Sequence, residues 1–276
     1  MEMNTVNINE QQAALAFSKQ SILFDRLYEK NTIIQYKRDR VRRHLKSILP
    51  LNASILELNA GTGEDAVWLA QHGHCVHATD IAAGMQEMLS KKVKLAGVDD
   101  KVTNEIRSFT DLHNLQEKGP YDFIFSNFAG LNCTGEIEKV INSFSSLLKD
   151  GGMATLVLLP RFCLWEFGLI LKGRFKTATR RLFASNGRKA RVEGEYFKCW
   201  YYNPSEIIKY SKREFEVIHT EGMCSFVPPS YMEGFAEKHP KLYSRLARYE
   251  EKWKSSWPWK SIGDYYIITL KKKVQF

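Results

Sequence analysis

The residues with the clearest chemistry surround one turn, Glu57-Leu58-Asn59-Ala60-Gly61-Thr62-Gly63-Glu64-Asp65. Gly61 and Gly63 let the backbone take positive φ and come close to a ligand. Ala66-Val67-Trp68-Leu69-Ala70 then reads as a helix start, whose free N–H groups and positive dipole end suit an anion. Glu57 sits at the end of the apolar run Ser54-Ile55-Leu56, where a buried strand has no use for a charge. Asp80 ends a second run, Cys75-Val76-His77-Ala78-Thr79, and an acid at such a tip can accept from a ribose diol. Glu64 and Asp65 also suit the dipole of a first helical turn, so part of the pattern is plain capping. Gly61-x-Gly63-x-x-Ala66 formally matches the dinucleotide fingerprint, a weak signal when it stands alone.

The elements that must position these groups alternate. Strands are predicted over 54–58, 75–79, 102–106, 123–126 and 153–159. Helices fall between them from Glu64 to about His72, from Ala82 to about Leu95 and from Ile137 to Leu148, with Gly73 and Gly97 closing the first two. This alternation argues an α/β fold with a parallel, doubly wound sheet, and such sheets bind ligands at the carboxyl ends of their strands. Phe215–His219 and Tyr265–Leu270 read as two further strands. Residues 225–263 between them are too many for a turn and read as an insertion.

Three segments together resemble the class I S-adenosylmethionine-dependent methyltransferases of small-molecule type. They are Leu56-Glu57-Leu58-Asn59-Ala60-Gly61-Thr62-Gly63, Thr79-Asp80-Ile81-Ala82-Ala83-Gly84-Met85 and Tyr121-Asp122-Phe123-Ile124-Phe125-Ser126-Asn127. Leu147-Leu148-Lys149-Asp150-Gly151-Gly152 is a fourth match, and the resemblance covers roughly residues 50–160. It implies a Rossmann-like seven-stranded doubly wound sheet with an N-terminal helical lid and cap insertions. The lid would be residues 1–50, the cofactor-binding core 51–160 and the cap 161–200. Residues 201–276 would complete the sheet with the antiparallel hairpin that ends it in this family, formed by 215–219 and 265–270, with the second insertion at about 225–263.

The resemblance implies S-adenosyl-L-methionine as cofactor. It would be held by Glu57, Asn59, Ala60, Gly61, Gly63, Asp80, Ile81, Met85, Ser108, Phe109, Asn127 and Phe128. The family usually has Gly at the position of Asn59 and commonly an acid at that of Ser108. Asn is at ease in the left-handed region, so the turn should survive. A serine hydroxyl can still accept a hydrogen bond.

No catalytic constellation is forced by the sequence. Tyr28, Asn127 and Glu166 are the candidates. Tyr28 could face a sulfonium from the lid, or simply pack on Phe24 one turn away. Glu166 beside Trp165 could be a base with a raised pKa, or a surface residue. Trp165, Tyr196, Trp200 and Phe226 are expected to wall an aromatic cap over the methyl group. The acceptor would then be a small apolar or aromatic molecule, methylated at oxygen or nitrogen.

Composition sets the remaining bounds. The net charge is +9, with a surplus of seven positive charges over 161–200 and of five over 31–50. Solvated helix faces would account for both; an anionic substrate, contact with a membrane surface or a polynucleotide would be the functional alternatives. Nucleic acid is disfavoured because no RNA-binding module accompanies the charge. The five scattered cysteines never adopt C-x-x-C spacing, which argues against a disulfide framework and a zinc site and suits a cytoplasmic protein. Residues 1–12 carry no secretory pattern and read as loosely held. Three rival readings remain: an RNA or protein methyltransferase using the basic faces, a non-catalytic partner protein that kept the fold, and a nicotinamide enzyme. Oligomeric state is not legible.

Overall fold

A computed structural model describes residues 7–274. Its centre is a seven-stranded sheet in the order β3-β2-β1-β4-β5-β9-β8. The strands are β1 (Ser54–Leu58), β2 (Cys75–Asp80), β3 (Val102–Ile106), β4 (Tyr121–Ser126), β5 (Leu148–Leu158), β8 (Phe215–Met223) and β9 (Tyr265–Lys272). Neighbours from β3 to β5 pair in parallel, and β9 runs antiparallel to both β5 and β8. The expected sheet and its terminal hairpin are therefore present.

Alternation along the strands sends apolar groups to two cores. Ile55, Phe123, Phe125 and Ile267 face α2 (Thr32–Ile48), α3 (Glu64–Gln71) and α4 (Ala83–Ala96). Leu56, Leu58, Ile124 and Leu156 face α5 (Ile137–Leu147) and α8 (Pro204–Ser211). Helices on both faces are what a buried parallel sheet requires.

The lid begins with α1 (Ile8–Glu29), capped by Asn7. Residues 8–12 are thus helical rather than loose, and residues 1–6 lie outside the described residues. The helix crosses α4 at close range: a Cβ on Gly84 would sit 2.7 Å from the Ser18 carbonyl oxygen. Its other support comes from the cap, where β6 (Arg188–Val192) and β7 (Glu195–Cys199) form a separate two-stranded sheet. The side-chain amide of Asn9 pairs with the β7 backbone there, Nδ2 donating to Lys198 O at 3.1 Å and Oδ1 accepting from Lys198 N–H. Phe17 and Phe197 meet with ring centroids 5.5 Å apart.

The basic face of α2 is not solvated throughout. Lys37 and Arg40 are both buried. Arg40 bonds Glu221 of β8 at 2.7 Å and approaches Glu250 at 3.7 Å. Glu250 comes from α10 (Pro240–Trp253) in the second insertion and also accepts the N–H groups of Phe226 and Val227 at 2.7 and 3.0 Å. Part of the local surplus is therefore internal ion pairing. Within the cap, the apolar stretch over 162–172 forms α6 (Leu164–Phe167) and a tighter turn of helix over Gly168–Lys172, followed by α7 (Phe175–Ala178). α9 (Phe235–Lys238) completes the set. Among the described residues, no helix is long and apolar enough to cross a membrane.

Candidate active site

The turn after β1 brings its backbone to the sheet tips. Asn59, Gly61 and Gly63 have φ of 47°, 57° and 79°, so Asn59 does take the left-handed conformation. Its side chain is locked: Nδ2 donates to Asn127 O at 2.9 Å, and Ser126 Oγ donates to Oδ1 at 2.6 Å. This amide fills the space over Gly130, where a Cβ would lie 2.2 Å from Asn59 Cγ. The side chain that replaces a glycine at one strand tip is thus accommodated by a glycine at the next.

Asp80 sits at the tip of β2. It accepts the Gly61 N–H at 2.9 Å and the Ala82 N–H at 2.8 Å. Burial pushes its carboxyl up, and those N–H groups only partly restrain the rise. Glu57 is more isolated. Burial first, and then the Asp65 carboxylate, push its pKa well above the ordinary value, and its Oε2 is buried without a partner. On β3's side, Ser108 donates to Glu10 of α1, which also takes the Thr110 hydroxyl at 2.9 Å. Burial raises the Glu10 pKa despite these bonds.

These groups surround a cavity. Asn59, Gly61, Asp80, Ile81, Met85, Phe109, Asn127 and Phe128 line it, and all eight are among the expected cofactor residues. Glu57, Ala60, Gly63 and Ser108 do not form its wall. The sequence reading missed Gly130, Cys133 and the lid residues Glu10, Ala13, Phe17 and Phe24. Nothing local in the sequence marks Glu10; only the docking of α1 brings it here. The residues fit S-adenosylmethionine: Asp80 can accept from a diol, Ile81 and Phe109 offer apolar faces to a flat ring, and the orphaned Glu10 oxygen can accept from a donor.

A second cavity of about 300 Å³ lies between α1 and α2. Phe17, Phe24 and Phe128 line both cavities. Tyr28, Ile34, Lys37, Arg38, Ser230 and Tyr265 complete the second wall. Lys37 bonds Asp264 at 2.7 Å and lies 4.3 Å from the Tyr265 ring centroid. Burial works against its charge, and Asp264 more than offsets this, holding the ammonium above its ordinary pKa. Burial pushes Tyr265 up to about 12 and also raises Tyr28. Tyr28 both lines this cavity and packs edge-on against Phe24, with centroids 4.8 Å apart.

Several expected placements need correction. The Asn127 amide is committed to structure: Nδ2 donates to Asp65 at 2.7 Å and Oδ1 accepts the Phe128 N–H at 2.8 Å. It positions Phe128 rather than offering a free catalytic group. Glu166 is neither a free base nor a surface residue. It is buried and held by Arg180 and Arg181, each with a contact of 2.6 Å. Glu166, Cys163 and Asp264 bring potential metal-ligand atoms within 4.8 Å of one another, but Lys37, Arg180 and Arg181 already occupy the two carboxylates.

The aromatic cap is not assembled over the strand tips. Trp165 and Phe226 line a different cavity with Trp259. Tyr196 is exposed under Lys189 and Arg191. Trp200 packs against the second core, close to Gly135 and Gly187. The walls of the strand-tip cavity come from the lid instead, because the cap hairpin spends its aromatic Phe197 on holding α1.

The sequence profile of a family described as methyltransferase domain matches residues 55–152. Residues 55–152 therefore carry a methyltransferase domain. Its cofactor is S-adenosylmethionine. The fold resembles that of several solved structures. The [4+2]-cyclase SpnF is 15% identical, with a TM-score of 0.65 and 98% of each chain covered. The 1,6-didemethyltoxoflavin-N1-methyltransferase of Burkholderia thailandensis, solved with 1,6-didemethyltoxoflavin and S-adenosylhomocysteine, is 13% identical, with a TM-score of 0.56; 99% of this chain and 94% of that one are covered. A putative S-adenosylmethionine-dependent methyltransferase from Listeria monocytogenes is 16% identical, with a TM-score of 0.58 over 84% of this chain and 96% of that one. No curated protein sequence matches the chain.

Proposed function

We propose that the protein methylates a small apolar or aromatic molecule, at oxygen or nitrogen, held in the cavity between α1 and α2. The observation that carries this reading is the wall common to both cavities, Phe17, Phe24 and Phe128. Cofactor and acceptor would meet across these rings. The cofactor, when bound, supplies an electrophilic methyl group on a sulfonium. Asp80 and the turn after β1 would hold it, and α1 would exclude water. The B. thailandensis structure, with a small molecule named beside S-adenosylhomocysteine, is in keeping with such an acceptor.

No carboxylate or imidazole lines the acceptor cavity among the described residues. Its two phenols are held protonated and Lys37 is held charged. The chain therefore works by placing the acceptor and excluding water, which can supply several kcal/mol of the barrier reduction, about 7–11 at best. An acceptor suited to this site brings a nucleophile already free of its proton near neutral pH: a carboxylate, an acidic hydroxyl or a ring nitrogen. The positive charges of Lys37 and Arg38 favour an ionised acceptor.

The test is transfer of labelled methyl from S-adenosylmethionine to a panel of small aromatic acids, acidic phenols and nitrogen heterocycles. Label should pass to at least one class. For that acceptor, Tyr28→Ala should raise KM about tenfold, about 1.4 kcal/mol, with S-adenosylhomocysteine affinity unchanged. An unaltered acceptor KM would remove the acceptor from this cavity.

A further inference from the structure

Glu10 has one carboxylate oxygen in use and one to spare. Its Oε2 accepts the hydroxyls of Ser108 and Thr110. The Thr110 N–H donates to Ser108 Oγ at 3.0 Å, which fixes the serine. Its Oε1 is buried with no partner, and the residue as a whole is 2% exposed. A buried acceptor left empty is costly and calls for an explanation. The side chain lines the strand-tip cavity beside Ala13, Ile81, Met85 and Phe109. A buried polar acceptor beside these four apolar side chains suits a flat ring with a donor on its edge.

We infer that Glu10 reads the exocyclic amine of the cofactor's adenine, and that the lid helix thereby carries a specificity determinant for the base. The inference rests on S-adenosylmethionine occupying the strand-tip cavity. Ser108 then acts as a positioning residue, holding Oε2 so that Oε1 is left for the ligand. The arrangement also couples two events. Glu10 lies in the first turn of α1, so the base contact ties the start of the lid to the bound cofactor. A chain that took its carboxylate from β3's own tip would bind the base whether or not the lid was docked.

The experiment compares S-adenosylhomocysteine with S-inosylhomocysteine, which presents a carbonyl where adenine has the amine. Calorimetric Kd values are taken for the wild type, Glu10→Gln and Glu10→Ala. The wild type should prefer the adenosyl ligand by about tenfold or more. Glu10→Gln keeps the shape, and its amide can turn to donate, so the preference should shrink to about threefold or less. Glu10→Ala should weaken S-adenosylhomocysteine about tenfold or more. Hydrogen exchange gives a second readout: S-adenosylhomocysteine should protect the amides of α1 in the wild type and less so in Glu10→Ala. An unchanged preference in Glu10→Gln, or wild-type affinity in Glu10→Ala, would overturn the role of Glu10 while leaving the cofactor in place. A wild type that bound neither ligand would overturn the cofactor reading and this inference with it.

Discussion

The cavity at the strand tips and the cavity between α1 and α2 share three phenylalanines but differ in how their charged groups are satisfied. Around the first, Glu10 and Glu57 each keep a buried oxygen without a partner, and burial raises the carboxyls of Glu10, Glu57 and Asp80. Around the second, Lys37 and Asp264 are paired at 2.7 Å, and Arg181 adds a further bond of 2.7 Å to the same carboxylate. The first cavity is built to be completed by a ligand's donors. In the second, the cation Lys37 is paired, and the open polar atom is a donor, the buried Arg38 Nε. The two cavities thus leave open groups of opposite kind: acceptors around the first, a cationic donor in the second, which suits an ionised acceptor.

The most damaging way to break this contrast is to open a charge in the second wall. Asp264→Ala leaves Lys37 and Arg181 buried without their shared carboxylate. Breaking a buried pair in this way costs about 3–5 kcal/mol, so thermal unfolding should move down by roughly 10 °C. A loss below about 1 kcal/mol would mean that these cations are not sealed from water, and the second cavity would no longer differ from the first.

A smaller effect tests the packing between strand tips. Gly130→Ala should cost about 1–3 kcal/mol, because its Cβ would overlap the Asn59 amide. Asn59→Gly removes that amide. In the double variant the Gly130→Ala cost should largely vanish, giving a coupling of about 1 kcal/mol or more by thermal or chemical unfolding. Additive losses would show that Asn59 and Gly130 are independent, and that the turn tolerates its asparagine for some other reason.

That pair also marks where sequence reading stops. The strands, their order of use and the acids at their tips follow from local pattern: apolar runs, glycine turns and Asp80 at a strand end. Eight of the expected cofactor residues line the strand-tip cavity for that reason. Glu10 and Gly130 are not legible locally, since each owes its role to a residue far along the chain, Ser108 in one case and Asn59 in the other. The cap failed differently. Trp165, Trp200 and Phe226 were grouped because they are aromatic and lie in insertions, but composition does not say which wall a side chain joins. The basic face of α2 misled for a related reason. Periodicity identifies a polar stripe; it does not reveal that Glu221, Glu250 and Asp264 will cover part of it.

The subtlest contrast is in pH dependence, where the two walls have opposite signs. Glu57 has a folded pKa raised above the ordinary 4.5 by burial first and then by Asp65. The folded state therefore holds its proton more tightly than the unfolded chain does. Its contribution to stability is full below 4.5 and is lost as pH rises through the raised value. For Asp264, burial raises the pKa, but Lys37 and Arg181 outweigh it and the net shift is downward from 3.8. Its contribution is present above 3.8 and is lost as pH falls through the lowered value. Glu57→Gln imitates the neutral acid and cannot ionise. Between about pH 5 and pH 8, the stability of Glu57→Gln relative to the wild type should therefore rise with pH. A difference that stayed flat across this range in the free protein would show that Glu57 is already ionised and hydrated.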